Sequence, residues 1–239
     1  MRTALMKSNN LVTLRILQSI GLPFAQEWVT KFRFDKDKQP ANLPMGLGAG
    51  SATPMQMAAG YSVFANGGYR VNPYLVTRIT DMRDNIIFNT ESPVLDEAQR
   101  AIPARNAYIM SSLLQSVVNG GTAFKAHQVL KRDDLYGKTG TTNDSFDTWF
   151  AGFQPTLVGV AWIGYDTPRR VGVRGETGTS MSLPIWIDYM QTALKGVSVA
   201  LLSEPPGVVK LEGELYFDDF TPGRNVASLG LDAPEPGPP

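Results

Sequence analysis

The sequence predicts an α/β fold in which several helices precede a run of strands and one helix follows it. Apolar residues recur at helical spacing in three stretches before residue 120, and the pattern changes to strand from Leu135 onward. Hydrophobic residues make up 43% of the 239 residues and charged residues 18%, which is typical of a globular chain. A chain of this length can bury roughly 70–75% of its unfolded surface, enough for one large domain or two small ones.

Turn-forming residues divide the first half of the chain. Ser8-Asn9-Asn10 interrupts a helical pattern and is expected to cap a helix over 11–20, which Gly21-Leu22-Pro23 ends. After a turn-rich segment, a second helix is expected from Pro54 to a stop at Gly67-Gly68. Because helical pattern starts with the first residues, we expect the chain to begin inside a folded unit.

The rest of the chain predicts a hairpin, a helix, three strands and a closing helix. Apolar residues on either side of the polar turn Arg83-Asp84-Asn85 indicate the hairpin. Pro103 opens a helix whose apolar face includes Ala107 and Val117. The strands are predicted over 135–141, 147–153 and 157–165, and the closing helix over 183–195.

The composition excludes several classes of function. Lys plus Arg and Asp plus Glu both number 22, so no net charge recruits nucleic acid or an anionic membrane. The chain has no cysteine, which removes disulfides, thiolate catalysis and cysteine-based metal sites. Its charged first residues precede no long apolar run, and no stretch reaches about 18 consecutive apolar residues. This segment therefore predicts neither a secretory signal nor contact with a membrane.

The stretch YGKTGTT, residues 136–142, invites two incompatible interpretations. Gly-Lys-Thr ends a phosphate-binding P-loop, but a P-loop also needs a glycine separated from the Gly-Lys pair by four residues, and Arg132 occupies that position. The residues after Thr139 would also have to begin a helix, whereas they favour a turn. Threonines favour extended backbone, and Gly140 lets a ligand approach closely. We therefore interpret the stretch as a strand.

On that strand, alternation places Lys138 and Gly140 on one face and Thr139 and Thr141 on the other. If its free edge pairs with an extended peptide, the strand offers backbone hydrogen bonds, hydroxyl groups and a positive charge for a carboxylate. An isolated Lys-Thr-Gly is more often an ordinary strand end than a site. Its meaning depends on the other motifs of the chain.

Ser8-Asn9-Asn10 has the form Ser-x-Asn and precedes Lys138-Thr139-Gly140. These are the second and third motifs of the serine acyl-transferases that include penicillin-binding proteins and class A β-lactamases. Four longer stretches resemble, in order, the transpeptidase domain of class A penicillin-binding proteins, most of all the Gram-negative 1a type. They are MGLGAGSATPMQMAAGYSVFANGGYRVNPYLV, RNAYIMSSLLQSVVNGGTA, GKTGTTNDSFDTWFAGFQP and LPIWIDYM. The resemblance runs from residue 1 to about 195.

This resemblance implies a β-lactamase/transpeptidase-like α/β fold, with a five-stranded antiparallel sheet flanked by helices and the site at the sheet edge. The chain is expected to contribute three of the five strands. Residues 1–195 are expected to form part of a transpeptidase domain, and 196–239 a C-terminal extension that is Pro-rich and disordered at its end. The implied function is peptidoglycan cross-linking by D-alanyl-D-alanine transpeptidation at the periplasmic face of the bacterial inner membrane. The implied partners are the stem peptide and β-lactams, with no cofactor and no metal.

The resemblance also assigns catalytic roles to three residues. Ser8 is similar to the hydroxyl that relays a proton between the leaving amine and the lysines of the site. Asn10 matches the asparagine that holds the substrate's side-chain amide and the lysine network. Lys138 would supply positive potential and keep the relay poised for proton transfer.

Three residues of the strand are assigned to substrate binding on the same basis. Thr139 and Thr141 would bind the terminal carboxylate of the stem peptide or of a β-lactam. The backbone N–H of Thr141 would be one of two oxyanion-hole donors, the second being the N–H of the nucleophilic serine. Gly140 permits the close approach of the substrate.

The first motif of the family, Ser-x-x-Lys, is missing. No serine of the chain has Lys three residues later, and the Gly-x-Ser-x-Gly of α/β-hydrolases is absent as well. In the family this motif precedes Ser-x-Asn, so the nucleophile is expected upstream of Met1 and the N-terminal part of the domain is expected to be missing. The chain alone is then expected to be inactive. The alternative is a non-catalytic module that binds a stem peptide.

Other polar residues have structural interpretations. The single histidine, His127, is expected at the surface or hydrogen-bonded, not bound to a metal. Asp144 and Asp147 flank a turn and are interpreted as turn formers instead of a glycosidase carboxylate pair. Asp133-Asp134 is expected to be a solvated loop. Trp186 is expected to pack the closing helix against the sheet.

Overall fold

The computed structural model describes residues 1–91, 94–173 and 175–223. These residues form a three-stranded antiparallel sheet with helices on both faces, and two separate two-stranded hairpins. The helices are α1 (Arg2–Met6), α2 (Asn10–Ile20), α3 (Leu22–Thr30), α4 (Pro54–Ala65), α5 (Ala104–Gly120), α6 (Phe124–Leu130) and α7 (Ser182–Ala193). The strands are β1 (Arg78–Thr80), β2 (Ile86–Asn89), β3 (Tyr136–Thr141), β4 (Thr148–Gln154), β5 (Leu157–Ile163), β6 (Val208–Leu211) and β7 (Glu214–Phe217).

Local capping explains where the first helices begin and end. The Asn9 side chain accepts hydrogen bonds from the two backbone amides that open α2, and Gly21, at φ 86°, ends that helix. Thr53 and Gln56 form a reciprocal capping box that starts α4. The predicted helices over 11–20 and from Pro54 are confirmed. Helix α3 was not predicted: Pro23 lies in its first turn, where proline is tolerated, so Gly21-Leu22-Pro23 ends one helix and begins the next.

The central sheet has the order β3-β4-β5, and both pairings are antiparallel. All three predicted strands are present within two residues of the expected bounds, and the chain contributes three strands to the sheet, as expected, in the part that the structure describes. The central strand β4 buries side chains on both faces, because Phe150 and Phe153 are both fully buried. The predicted hairpin is confirmed as β1 paired with β2.

Each face of the sheet packs against its own helices. Helix α7 covers one face, where the Trp186 ring lies 4.8 Å from that of Phe150 and its indole N–H donates to the Gly159 carbonyl over 3.1 Å. On the other face Tyr136 stacks on Phe153 with ring centroids 4.7 Å apart, and α4 and α5 add buried apolar side chains. The start of β3 is thus fixed in the core, while Lys138-Thr139-Gly140 lies toward its exposed end.

The expectation of a solvated loop at Asp133-Asp134 is wrong for Asp134, whose residue surface is 0% exposed. Its carboxylate pairs with Arg132 over 2.7 Å and accepts hydrogen bonds from Gln154 and from the Ala200 amide. Burial raises the pKa of Asp134, but the hydrogen bonds from Arg132, Ala200 and Gln154 outweigh burial and lower it below its ordinary value. The pair anchors both the start of β3 and the chain that follows α7.

The segment after α7 returns across the molecule and forms the β6–β7 hairpin. Two carbonyls of this segment, those of Val197 and Ser198, accept hydrogen bonds from Arg132. The predicted disorder of the Pro-rich end, 231–239, lies outside the described residues. Among the described residues, no helix combines the length and the apolar character that crossing a membrane requires.

Candidate functional site

The site is built on a contact between two motifs that lie 130 positions apart in sequence. The Lys138 ammonium donates a hydrogen bond to the Ser8 hydroxyl oxygen over 2.9 Å, and a second one to the Thr139 carbonyl over 2.9 Å. Lys138 is partly buried on β3, whereas Ser8 is exposed. The structure therefore brings together the serine and the lysine that the sequence singled out.

The turn between α1 and α2 presents the Ser8 side chain. Ser8 adopts a left-handed backbone conformation, with φ 54°, which is uncommon for a residue with a side chain. Backbone hydrogen bonds from Ser8 to Leu5 and from Asn9 to Ala4, over 3.1 and 2.8 Å, hold this turn against the end of α1. Because Asn9 caps α2 at the same time, the position of Ser8 is defined from both sides.

Burial changes the acid–base behaviour of Lys138. The pKa of its ammonium is lowered by burial from the ordinary 10.5 to about 8. An amine with this pKa is neutral in roughly a tenth of molecules at pH 7, since one pH unit separates it from its midpoint. Lys138 is therefore able to accept and return a proton near neutral pH, and Ser8 lies within hydrogen-bonding distance of it.

Thr139 points away from Lys138, as strand alternation predicts, and meets a residue that the sequence did not single out. Its hydroxyl oxygen lies 2.8 Å from that of Thr122, with which it shares a hydrogen bond. The Thr122 amide donates to the Met6 carbonyl, and its carbonyl accepts from the Thr179 hydroxyl over 3.1 Å. Thr122 thus links β3 to the C-terminal end of α1 and to the loop before α7.

The last residue of β3, Thr141, contacts the same loop. Its hydroxyl oxygen accepts a hydrogen bond from the Gly178 amide over 2.9 Å, so the hydroxyl proton stays available for an acceptor. Gly178 must be glycine, since a Cβ there would lie 2.5 Å from the carbonyl oxygens of Gly140 and Trp149. A Cβ on Gly140 would come within 3.2 Å of Trp149. The end of the strand is therefore closely packed on one side.

Two small turns supply the residues that sequence reasoning missed. Thr122 follows Gly120-Gly121 after α5, and Gly178-Thr179 precedes α7. A Cβ on Gly121 would lie 2.6 Å from the Met6 carbonyl oxygen, which is why this turn can approach α1 so closely. The only sequence signal was a Gly-Thr pair beside each helix end. Such pairs are common in turns, so they do not indicate a functional site.

Asn10 is the one catalytic candidate that the structure does not bring to Lys138. It is exposed in the first turn of α2, and its side chain makes no hydrogen bond with the residues that the structure describes. Ser8 and Lys138 therefore form the contact without it.

His127, Asp144 and Asp147 have structural contacts, as the sequence predicted. The His127 ring lies 3.1 Å from the Arg132 carbonyl and stacks on Phe124. Asp144 adopts φ 59° in the turn after β3. The Asp147 backbone amide donates a hydrogen bond to the Thr142 hydroxyl oxygen, which holds the same turn. Within the described ranges, no group of three or more His, Asp or Glu side chains is placed to hold a metal ion.

An antiparallel sheet whose edge strand carries Lys-Thr-Gly, with a Ser-x-Asn turn hydrogen-bonded to its lysine, is the arrangement of a penicillin-recognising acyl-transferase. A family model described as the penicillin-binding protein transpeptidase domain matches residues 1–180. The chain belongs to this family, and its relatives are class A penicillin-binding proteins of the 1A type.

Individual relatives give the same result. The chain is 44% identical over 241 residues to penicillin-binding protein 1A of Neisseria meningitidis, covering 99% of this chain and 30% of that protein. A crystal structure of penicillin-binding protein 1A from Haemophilus influenzae matches with TM-score 0.82 and 34% identity, over 87% of this chain and 36% of that one. The Mycobacterium tuberculosis PonA1 structure in complex with penicillin V matches with TM-score 0.67 and 22% identity, over 86% of this chain and 59% of that one, and so supports the fold alone.

These matches confirm the β-lactamase/transpeptidase-like α/β fold. They also show that the chain covers only part of the full domain, and it spans about a third of the length of the Neisseria and Haemophilus relatives. The roles of the individual site residues stay predictions.

Proposed function

We propose that this chain supplies the Ser-x-Asn and Lys-Thr-Gly parts of a serine-type D-alanyl-D-alanine transpeptidase site that cross-links peptidoglycan and is acylated by β-lactams. The observation that carries the proposal is the 2.9 Å hydrogen bond from Lys138 to Ser8. Family membership supports the reaction class, and the lowered pKa of Lys138 supports proton transfer by this pair near neutral pH.

In the proposed mechanism the Ser8 hydroxyl relays a proton to the leaving amine. The hydrogen bond from Lys138 occupies a lone pair of the Ser8 oxygen, so the hydroxyl proton points away from the lysine, toward a substrate. When Ser8 gives up that proton, Lys138 replaces it through the same hydrogen bond. Asn10, exposed beside Ser8, is proposed to hold the side-chain amide of the bound peptide.

The substrate is proposed to bind along β3, which pairs only with β4 among the described residues and so keeps an open edge. Thr139 and Thr141 would bind the terminal carboxylate. The Gly178 amide supports this role, because it leaves the Thr141 hydroxyl free to donate. The Thr141 backbone N–H would stabilise the oxyanion, and Gly140 would let the peptide approach the backbone.

The nucleophile is proposed to come from a Ser-x-x-Lys motif outside these 239 residues, because none of the serines present has Lys three positions later. That absence also favours a second candidate function, in which the chain binds the stem peptide without being acylated. We further propose that residues 1–195 form the domain part and 196–239 an extension, and that the complete protein acts at the periplasmic face of the bacterial inner membrane.

Labelling by a fluorescent penicillin tests the proposal in a longer form of the protein that includes the Ser-x-x-Lys segment. Lys138→Arg is expected to lower the acylation rate by roughly 10²-fold or more, because a guanidinium stays charged and cannot relay a proton. Lys125→Arg, on the exposed side of α6, is the matched control and is expected to label normally. Near-normal labelling of Lys138→Arg would rule out the relay.

A further inference from the structure

We propose that the C-terminal β6–β7 hairpin positions Ser8 against Lys138, and that the ion pair between Glu214 and Arg2 transmits this effect. Glu214 and Arg2 are positioning residues in this scheme, since neither contacts Lys138. The inference rests on the proposed function, because it concerns the geometry of the same serine–lysine pair.

The Arg2 side chain is the connection between the hairpin and α1. Its guanidinium pairs with the Glu214 carboxylate over 2.8 Å, and its Nε donates to both carboxylate oxygens, over 3.0 and 2.8 Å. The same guanidinium donates to the Ser112 carbonyl and to the hydroxyls of Ser112 and Ser116 on α5. Arg2 thus joins three elements, and its side chain is only 19% exposed.

Helix α1 is held in place by tertiary contacts. It packs along α5, and its Leu5 side chain lies against the buried core. Its far end carries the turn whose amides, Ser8 and Asn9, donate back to Leu5 and Ala4. The turn that carries Ser8 is therefore bonded to the end of α1, and Arg2 holds the start of that helix through its contacts with Glu214 and α5.

The hairpin also has contacts of its own with α5. Arg105, near the start of α5, pairs with Asp219 over 2.8 Å and lies over the Phe217 ring at 4.4 Å. Val208 at the start of β6 is buried. The hairpin that carries Glu214 is therefore fixed to α5 as well, so Glu214 has support besides its ion pair with Arg2.

Two comparable ion pairs of the C-terminal segment give a matched test. Glu214 and Asp219 are both about half exposed, with side chains 45% and 49% accessible, and each pairs with an arginine. In the ion pairs of the described residues, Glu214 bonds to Arg2 of α1, whereas Asp219 bonds to Arg105 of α5. Glu214→Gln and Asp219→Asn each remove one charge, so they separate an effect on Ser8 from a general loosening of the segment.

The first measurement is hydrogen exchange on the 239-residue chain. Glu214→Gln is expected to speed exchange of the Ser8 and Asn9 amides roughly three- to tenfold, as the loss of a partly buried charge-assisted contact implies. Asp219→Asn is expected to leave both amides unchanged. Exchange that is equal in wild type and Glu214→Gln would overturn the proposal.

The second measurement is penicillin acylation in the longer form that includes the Ser-x-x-Lys segment. Glu214→Gln is expected to lower the acylation rate constant roughly three- to tenfold while the dissociation constant of the initial complex stays the same, because β3 is untouched. Asp219→Asn is expected to match wild type. Faster exchange at Ser8 with unchanged acylation would overturn the positioning role. A wild-type protein that penicillin does not acylate would instead contradict the proposed function, and the exchange data would still decide whether the hairpin holds Ser8.

Discussion

Replacing Lys138 by Met is expected to make the chain more stable while it removes the proton relay. Met has nearly the length of Lys and no charge, so it fills the same partly buried space on β3. The gain arises because a buried ammonium is costly, and functional sites commonly carry such a cost in stability.

The magnitude follows from the pKa of Lys138, which burial lowers from 10.5 to about 8. This difference of about 2.5 pH units corresponds to about 3 kcal/mol, at 1.36 kcal/mol per unit. Met also loses the hydrogen bonds to the Ser8 hydroxyl and the Thr139 carbonyl, which offset part of the gain. The expected net increase in the free energy of unfolding is about 1–2 kcal/mol at pH 7.

The pH dependence gives the sign of the effect. Below pH 8 the lysine is charged in both the folded and the unfolded chain, so the folded state carries the full cost. Between pH 8 and 10.5 the folded lysine loses its proton while the unfolded one keeps it, so wild-type stability rises with pH relative to the Met variant. The advantage of Lys138→Met should therefore fall by about 2.5 kcal/mol between pH 7 and pH 10, which cancels or reverses it.

Urea unfolding of the 239-residue chain, followed by circular dichroism at pH 7 and pH 10, measures both quantities. Lys125→Met is the control, because Lys125 is exposed on α6 and Met and Lys have similar helix propensities. A Lys138→Met variant that is less stable than wild type at pH 7, or whose advantage is the same at both pH values, would show that burial of the Lys138 ammonium does not cost the folded state stability.

Two further substitutions test the carboxylate contact and the anchor of β3. Thr141→Val should slow acylation of the longer protein about tenfold, as expected for losing a hydrogen bond to a charged group, while Thr141→Ser keeps most of the rate. An equal loss with ligands that lack the carboxylate would contradict that role. Asp134→Asn should lower the free energy of unfolding by about 3 kcal/mol because it leaves Arg132 without its buried partner, whereas the exposed neighbour Asp133→Asn should change little. Folding lowers the pKa of Asp134, so its carboxylate stabilises the fold above the unfolded pKa near 3.8, and this stabilisation is lost as the pH falls through the lower folded pKa. A loss of stability in Asp134→Asn that persists at acid pH would therefore have another cause.

Periodic patterns predicted the framework of this fold, because they reflect which side of a helix or strand is buried. The helices from Pro54 and Pro103 and the strands β3 to β5 all follow from local spacing and turn residues. Helix α3 was missed because Pro23 serves as a stop for one helix and as a first-turn residue for another. Local sequence does not distinguish those two uses.

The site shows a different limit. Alternation along β3 correctly separated Lys138 from Thr139, but the contact of Lys138 with Ser8 depends on tertiary packing and was expected only from the family resemblance. The burial of Asp134 and the contact of Thr122 with Thr139 involve partners far away in sequence or on another element. Polar residues of this kind look solvated until their partners are known.

In our proposal this chain carries the Ser8–Lys138 pair, while the nucleophilic serine lies outside its 239 residues. Mass spectrometry of the intact protein after incubation with benzylpenicillin tests this proposal. The 239-residue chain holds the Ser8–Lys138 pair, yet none of its serines has a lysine three residues later, as the Ser-x-x-Lys motif requires. We expect no penicilloyl adduct on this chain and a stoichiometric adduct on a longer form that includes the Ser-x-x-Lys segment. A stoichiometric adduct on the 239-residue chain would contradict the proposal, because it would place the nucleophile among the residues present here.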